Sequence, residues 1–317
     1  MHRHIRSAAC ALLATMPFTV AAQSYPAKPV RVIIPWPAGG LTDVAGRIIV
    51  QKMGENLGQS FVVDNRGGAT GTIGADLVAK SPADGYTLMV HSTSHVANAH
   101  LYAKLPYDTL RDFTPIGLLV AQTGLLVVHP SLPVKNVKEL VALARAKPDQ
   151  VLYASSGAGS FSHLAIALLT SMTNTKMLHV PYKGGGPATT ALVSGETQFL
   201  VGSPAAVVPH LPSKRLRLLA VSSDTRLPQF PDTPTVAEAG VPGYEFRAWV
   251  ALFGPAGLPR PIVDRLNAEI KKVQDSRDNR LDAFEPWSMT PDQTAARMRA
   301  DYEKYGTLIR LTGAKPE

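Results

Sequence analysis

Three glycine-rich loops, each between a predicted strand and a predicted helix, contain residues suited to anion binding. They span residues 35–43, 155–163 and 181–187. A helix N-terminus presents free N–H groups and about half a positive charge, so it can bind an anion without a cationic side chain. The first two loops contain no lysine or arginine. Ordinary strand-to-helix turns also use Gly and Ser, but three such loops in one chain favour a binding site.

The three loops lack the patterns of nucleotide-binding sites. A P-loop requires Gly-x4-Gly-Lys-Ser/Thr, whereas Lys183 precedes the glycines of the third loop. No Gly-x-Gly-x-x-Gly sequence follows a predicted strand. We therefore predict no cofactor, and the sequence argues against an ATP- or nicotinamide-dependent enzyme.

Ser160 and His163 could in principle serve hydrolysis, because they lie three residues apart at a predicted helix start. Hydrolysis also needs an acid that orients the histidine, and the loop contains none. The chain has no Gly-x-Ser-x-Gly sequence at this position. We expect Ser160 to cap the helix and His163 to line a pocket or to pack, and we predict no catalytic residue. A secreted serine hydrolase remains the alternative.

His91, His95 and His100 form the densest group of histidines. Their spacing matches no known metal-ligand pattern, and no carboxylate lies among them. We interpret them as structural or pocket-lining residues and predict no metal site.

Strand and helix patterns alternate along the chain, which predicts an α/β architecture with mainly parallel strand pairing. At about 100–200 residues per domain, 317 residues suggest two domains. The predicted strands are residues 30–34, 61–63, 86–90, 125–129, 151–154, 178–180, 198–201, 216–221 and 249–253. The predicted helices are residues 43–57, 71–80, 137–146, 161–172, 261–274 and 291–311. Residues 228–261 are rich in Pro and Gly, and the apolar strand inside them indicates that the chain crosses between domains there.

The N-terminus has the pattern of a secretory signal. Arg3 and Arg6 precede an apolar run over residues 8–20, and small residues at 20–22 fit a cleavage site before Gln23. The run is shorter than the about 20 apolar residues of a membrane-spanning helix. The single cysteine, Cys10, lies inside this segment, so the mature chain has no disulfide. We predict export to the periplasm.

The charge balance is mildly basic. Lys+Arg 32 against Asp+Glu 24 gives +8, and removal of Arg3 and Arg6 leaves +6. The excess is spread along the chain, with its densest points at residues 214–217 and 271–272, as in solvated faces rather than a nucleic-acid site. A mild positive field of this kind would help to gather anions in a cleft.

A series of motifs in a fixed order makes the chain recognisable. They are PWPAGG at 35–40, VDNR at 63–66, GTIG at 71–74, PADGYTL at 82–88, LPYD at 105–108, DFTP at 112–115, SSGAGS at 155–160, VPYKG at 180–184, PTVAEAG at 234–240, PGYE at 242–245 and PAGLP at 255–259. With them, almost the whole mature chain resembles the Bug-type extracytoplasmic solute receptors, the substrate-binding component of tripartite tricarboxylate transporters.

The resemblance implies a type II periplasmic-binding-protein fold, in which two α/β lobes close on a ligand. Lobe I would comprise residues 23–123 and 248–317, and lobe II residues 124–247. The implied ligand is a small organic carboxylate and the implied partners are membrane permease subunits, with no nucleic acid, and we expect a monomer. Relatives hold one carboxylate between the first and second loops, largely through backbone amides and bridging waters.

The resemblance also implies ligand-binding residues by position. In lobe I they are Trp36, Ala38, Gly39, Gly40, Asp43, Ser92, Thr93 and Ser94. In lobe II they are Ser156, Gly159, Ser160, His163, Tyr182 and Ser203, with Lys183 near them.

Two segments depart from the family pattern. The family often has an aromatic–Asp–Asn sequence where this chain has residues 201–203. If the Asp of that sequence contacts a ligand ammonium, Gly202 cannot replace it. An amino-acid ligand is therefore disfavoured relative to a plain carboxylate. Residues 284–288 replace a glycine-containing turn, and we expect this to change the surface rather than the pocket. A sensory receptor that presents its liganded form to a signalling protein would share every motif and remains a further alternative.

Overall fold

The computed structural model describes residues 25–36, 38–39, 41–182, 184–276, 279–281 and 284–315. The predicted signal segment at 1–22, Gly40 and Lys183 lie outside the described residues. The prediction of a secretory signal therefore stays a prediction.

Runs of aliphatic and β-branched residues form the strands of two sheets. The strands are β1 (Val30–Ile34), β2 (Phe61–Asn65), β3 (Thr87–Ser92), β4 (Phe113–Thr123), β5 (Leu125–Val128), β6 (Leu152–Ser155), β7 (Leu178–Pro181), β8 (Phe199–Gly202), β9 (Arg217–Val221), β10 (Arg247–Pro255) and β11 (Glu285–Pro286). The first sheet has the order β11-β4-β10-β3-β1-β2, and the second has the order β7-β6-β8-β5-β9.

The sheets are mixed, which corrects the expectation of mainly parallel pairing. The pairs β1–β2, β1–β3, β6–β7 and β6–β8 are parallel. The pairs that involve the long strands β4 and β10, and those of β5, are antiparallel. The direction reverses because β4, β5 and β10 belong to the two passages of the chain between the sheets, whereas the parallel strands belong to local strand–helix–strand units.

Amphipathic helices cover both sheets, and the three predicted loop–helix junctions are present at α1, α5 and α6. The helices are α1 (Leu41–Leu57), α2 (Thr72–Ala79), α3 (Ser94–Leu101), α4 (Val137–Ala146), α5 (Phe161–Thr173), α6 (Gly185–Ser194), α7 (Pro204–Val207), α8 (Arg260–Asp275) and α9 (Pro291–Thr312). On α1, Ala45, Ile49 and Met53 are fully buried, as their spacing predicts. Among the described residues, no helix combines the length and the apolar character needed to cross a membrane.

No strand was predicted at β4, although β4 has 11 residues and lies between two partner strands in the first sheet. Pro115 and Gly117 lie within it, and both are turn-forming types that argue against a strand. The pairing with β10 shifts register between Leu252, which pairs with Gly117, and Phe253, which pairs with Pro115. The strand therefore accommodates Pro115 and Gly117 at the two sides of one irregularity.

The two passages between the sheets are tied together by one buried hydroxyl. Gly124 joins β4 to β5, and Phe246 directly precedes β10. The Ser222 hydroxyl accepts a hydrogen bond from Gly124 N at 2.8 Å and donates one to Phe246 O at 2.6 Å. Ser222 also exchanges backbone hydrogen bonds with both residues. The chain therefore crosses between the sheets at one compact position, as a hinge requires.

The divergent segment at 284–288 lies beside this crossing, so it is not confined to the surface. Glu285 pairs with Ala121 of β4, accepts a hydrogen bond from Thr123 Oγ1 at 2.7 Å and binds the Arg247 guanidinium. Trp287 stacks on the same guanidinium, 4.2 Å from its central carbon. The segment thereby braces the end of β4 and the start of β10.

Candidate functional site

A cavity of about 400 Å³ lies between the two sheets, beside the crossing strands. The segments that lead into α1 and α3, with the first turns of these helices, contribute Trp36, Thr42, Ser92, Thr93, Ser94 and Ala97 to its lining. The crossing strands contribute Val120, Ala121, Gln122, Ala248, Trp249 and Val250, and the remaining lining residues are Gly159, Ser160, Phe161 and Tyr305. The cavity is thus lined by residues at the ends of two glycine-rich loops and by the strands that cross between the sheets.

The first loop is held in place by Asp43. One oxygen of its carboxylate accepts a hydrogen bond from Gly39 N at 3.0 Å, and the other accepts from Arg47 at 2.7 Å and from Asn65 Nδ2 at 2.8 Å. Asn65 Nδ2 also donates to Trp36 O at 2.9 Å. Trp36 reaches the cavity, whereas Ala38, Gly39 and Asp43 do not line it. Asp43 therefore fixes the conformation of the first loop, and its carboxylate bonds to protein groups and does not face the cavity.

The electrostatic environment of Asp43 favours its ionised form. Burial by itself would raise the pKa of this carboxyl, since the side chain is only 4% exposed. The hydrogen bonds from Arg47, Asn65 and Gly39 outweigh that effect and lower the pKa below its ordinary value. At neutral pH, Asp43 is therefore ionised and its hydrogen bonds hold the first loop in place.

Asp43→Ala should loosen the first loop and weaken ligand binding together. The substitution leaves Gly39 N without its acceptor and leaves Arg47 Nη2 with Asn65 Oδ1 alone, and the loss of a buried partner costs about 1–3 kcal/mol. We expect a lower melting temperature in thermal denaturation and about a tenfold lower carboxylate affinity in calorimetry, roughly 1.4 kcal/mol. Asp43→Asn is the matched control, because it keeps an acceptor for Gly39 N and should retain more of both. Full affinity in a destabilised Asp43→Ala protein would show that the loop held by Asp43 is not needed for ligand binding.

The loop after β3 supplies three hydroxyl groups to the cavity. Ser92, Thr93 and Ser94 all line it, as the family pattern implies. Thr93 N donates to Trp249 O at 3.1 Å, and Ser92 Oγ donates to Ser94 Oγ at 3.3 Å. These bonds fasten the loop to β10 at the start of α3.

The second loop forms the N-terminus of α5. Ser160 caps the helix, with its hydroxyl accepting from His163 N at 3.4 Å. The first N–H groups of a helix have no acceptor within it, so the start of α5, where Ser160 and Phe161 line the cavity, is suited to an anion. Ser156 instead supports the loop from within, because its N and Oγ bond to Ser162 Oγ at 2.9 and 3.1 Å.

His163 supports this loop from below and does not line the cavity. Its Nδ1 accepts a hydrogen bond from Gly159 N at 3.0 Å, and its ring stacks on His179 at a centroid distance of 3.9 Å. Burial, with a smaller contribution from His179, lowers the pKa of His163 to about 4. The Ser160 hydroxyl bonds to the backbone of His163, so the pair lacks the hydroxyl–imidazole contact of a nucleophile and its base.

Tyr182 and Ser203 also lie apart from the cavity lining. The Tyr182 hydroxyl donates to Glu196 Oε1 at 2.8 Å. Ser203 is the residue before α7 and makes no side-chain capping bond. A Cβ added at the neighbouring Gly202 would lie 2.7 Å from Val207 Cγ1. A Gly202→Asp substitution would therefore disturb the packing of Val207 as well as add a charge, so it could not isolate the effect of that charge on ligand binding.

Several lining residues escaped the sequence analysis because they belong to crossing strands or to the C-terminal helix. Gln122 lies on β4, which the sequence analysis did not contain, and Trp249 lies on a strand that was predicted without a role in binding. Tyr305 comes from α9, is 4% exposed and has a hydroxyl without a hydrogen-bond partner among the described residues. Only a prediction of the chain crossing in three dimensions could have brought these residues to the first two loops.

The cavity carries no formal charge. Its lining, within the described ranges, contains no Lys, Arg, His, Asp or Glu. Nor do the described residues contain a group of three His, Cys, Asp or Glu side chains that could hold a metal ion. His91 and His95 have ring centroids 5.2 Å apart, whereas His100 packs on Tyr302. The arrangement suits an anion held by backbone amides and hydroxyl groups.

Comparison with protein families matches residues 45–314 to the model described as "Tripartite tricarboxylate transporter family receptor". A UPF0065 protein from the tcbD–tcbE intergenic region of Pseudomonas sp. strain P51 is 43% identical over 79% of this chain and 75% of its own. Protein BugT of Bordetella pertussis is 36% identical over 93% of each chain.

Three solved structures share the fold and more than a quarter of the sequence. Rpa4515 of R. palustris with adipate has a TM-score of 0.73 at 36% identity, covering 92% of this chain and 100% of that one. MatC of Rhodopseudomonas palustris with bound malate has a TM-score of 0.69 at 32% identity, covering 90% and 100%. A ligand-free TctC solute binding protein from Polaromonas has a TM-score of 0.83 at 30% identity, covering 90% and 99%.

Proposed function

The chain belongs to the tripartite tricarboxylate transporter family of receptors, and we propose that it captures a small organic carboxylate in the cleft between its two sheets and delivers it to a membrane transporter. The observation that carries this proposal is the cavity at the start of α5, whose described lining is uncharged and where Ser160 caps a helix whose first N–H groups have no acceptor within it. A helix N-terminus of this kind stabilises an anion. The relatives with bound adipate and malate support the choice of a carboxylate.

Capture would involve closure of two lobes about the strands that cross between the sheets. The first sheet contains strands from residues 30–123 and 247–286, and the second contains strands from 125–221, which supports lobes of 23–123 plus 248–317 and of 124–247. The higher TM-score with the ligand-free relative, despite its lower sequence identity, supports an open cleft in this structure. A ligand that contacts both lobes would shift the protein towards the closed form.

The remaining parts of the proposal concern place and partners. A receptor of this family would act in the periplasm after removal of residues 1–22, as a monomer, and would meet the permease subunits of its transporter. Its role is binding rather than catalysis, which the capping role of Ser160 and the loop-supporting role of His163 support.

A thermal-shift screen of mono-, di- and tricarboxylates tests the proposal. A ligand that binds only the folded protein raises its stability, by about 2.7 kcal/mol at a concentration of 100 times the Kd. We expect at least one carboxylate to raise the melting temperature clearly, and sugars and cationic amino acids, as matched negative controls, to leave it unchanged. Stabilisation by a sugar or a cationic amino acid, with none by any carboxylate, would refute the proposal.

A further inference from the structure

The cavity lining is divided between polar helix starts and an apolar wall. The hydroxyl groups of Ser92, Thr93, Ser94 and Ser160 lie at the loops before α3 and α5. Between them, the crossing strands present aliphatic and aromatic side chains to the cavity. We propose that the ligand is a carboxylate with a hydrocarbon body, aliphatic or aromatic, that carries neither hydroxyl nor ammonium groups. This inference rests on the proposed function and specifies the class of carboxylate.

The wall on the crossing strands is largely apolar because most of its polar atoms are turned away or absent; the exceptions in and beside it are the Gln122 amide and, on α9, the Tyr305 hydroxyl. Trp249 donates its only polar hydrogen to Asp301 Oδ2 at 2.7 Å, on α9, so the part of the indole that faces the cavity is hydrocarbon. Ala248 and Val250 flank it on β10, and Val250 pairs with Val120 of β4. Gln122 is the one amide that these strands add to the described lining.

The rim of the cavity continues this apolar surface. Trp36 on the first loop is half-buried and its ring is perpendicular to that of His91, 5.9 Å between centroids. Its indole Nε1 is buried without a hydrogen-bond partner among the described residues, and the rest of the ring is hydrocarbon. Phe161 on the second loop is half-buried and contacts Phe246, with ring centroids 5.2 Å apart. Closure of the lobes would bring these two aromatic residues over the body of a ligand that lies between the loops.

A hydroxylated or amino-substituted body would lose hydration against this wall, where the described lining offers it only the Gln122 amide and the Tyr305 hydroxyl as polar side-chain partners outside the loops. A buried hydroxyl without a hydrogen-bond partner is unfavourable, and an unpaired ammonium is more so. No carboxylate side chain lines the described part of the cavity, so an α-ammonium finds no counter-charge. A hydrocarbon body, by contrast, gains from burial in proportion to its apolar area.

Calorimetric titration of the full mature protein with three matched ligand pairs tests the inference. Adipate and galactarate share six carbons and two carboxylates but differ by four hydroxyl groups; adipate and 2-aminoadipate differ by one ammonium; phenylacetate and mandelate differ by one hydroxyl. In the pairs whose plain member binds, we expect the substituted member to bind at least about tenfold more weakly, and galactarate about 100-fold more weakly. Equal or tighter binding of the substituted members would overturn the inference and leave the carboxylate receptor intact, whereas no binding of any carboxylate would overturn the proposed function itself.

Two variants of Trp36 test the packing of the hydrocarbon body directly. Trp36→Ala should weaken the binding of the plain acid by about tenfold, and Trp36→Phe, the matched control, should weaken it by less than about threefold because an aromatic surface remains. Trp36 is half-buried at the rim, and its backbone carbonyl keeps the bond from Asn65 in both variants. Unchanged affinity in a folded Trp36→Ala protein would show that Trp36 does not pack on the hydrocarbon body of the ligand.

Discussion

Replacing Gly159 by aspartate should weaken carboxylate binding on the order of 100-fold while the protein stays folded. Gly159 lines the cavity beside the cap of α5, and its backbone has a φ of 73°. A Cβ added there would lie 3.6 Å from both Leu101 Cδ2 and Ala314 Cβ, which is ordinary van der Waals contact. The new carboxylate would therefore fit, and it would face the ligand carboxylate at the anion site. Two like charges about 5 Å apart at an effective dielectric constant of about 20 repel by roughly 3 kcal/mol, on the order of 100-fold in affinity.

Gly159→Asn is the matched control, because asparagine has the shape of aspartate without its charge. Both residues tolerate positive φ better than most side chains, so the backbone strain is shared and the charge is isolated. We expect the asparagine variant to bind within about tenfold of the unmodified protein. Calorimetry of both variants, with circular dichroism to verify folding, makes the comparison. Equal affinities of the two variants for the carboxylate would place the anion away from the α5 N-terminus.

Local periodicity predicted most of the elements, because each pattern is written in a short stretch of chain. The spacing of Ala45, Ile49 and Met53 indicated α1, and the structure confirms it. β4 escaped because Pro115 and Gly117 look like turn residues locally, whereas long-range pairing with β10 stabilises them in a strand. The mixed direction of the sheets likewise depends on where the chain crosses between them, which no local pattern records.

The candidate site was accessible to sequence analysis only where it consists of continuous loops. Ser160 follows glycine at a strand-to-helix junction, a pattern that indicates an anion site locally, whereas Ser92–Ser94 were expected in the site from the family resemblance; both groups line the cavity. His163 and Asp43 have types that suit ligand contact, but both turn inward to hold a loop. Which of two roles such a residue takes depends on side-chain direction, and that follows from packing against neighbours such as His179 and Asn65.

Acidification from pH 6.5 to pH 5 should destabilise the fold strongly, because three histidines are buried in their neutral form. His91 and His95 are fully buried and His163 is nearly so. Burial lowers the pKa of His95 to about 3 and that of His163 to about 4. Burial, with the neighbouring His95, lowers the pKa of His91 well below 6.5. The surroundings of His95 are aromatic, with Tyr107 and Phe113 against its ring.

The sign of the effect follows from the proton balance. Above about pH 6.5 neither the folded nor the unfolded chain protonates these histidines, so stability does not depend on them. Below that pH the unfolded chain takes up protons that the folded protein excludes, and each histidine lowers the free energy of unfolding by about 1.4 kcal/mol per pH unit. The three together give about 4 kcal/mol per unit, against a total stability of about 5–15 kcal/mol. Carboxylates with lowered pKa values, such as Asp43 and Glu245, add their loss only below about pH 4.5.

Urea unfolding at pH 8, 7, 6 and 5, compared between the unmodified protein and His95→Phe, measures this effect. We expect a constant free energy of unfolding from pH 8 to 7 and a steep fall from pH 6 to 5. Phenylalanine suits the aromatic surroundings of residue 95, whose two ring nitrogens have no hydrogen-bond partner among the described residues. Any change in packing in His95→Phe appears equally at pH 8, so the pH-dependent part isolates the proton. The variant should lose about one fifth to one third of the slope below pH 6, because one excluded proton is gone while His91 and His163 still contribute, as do His100 and His179, whose pKa values burial also lowers. A free energy of unfolding that stays flat from pH 7 to 5 in the unmodified protein would mean that these histidines accept protons in the folded state.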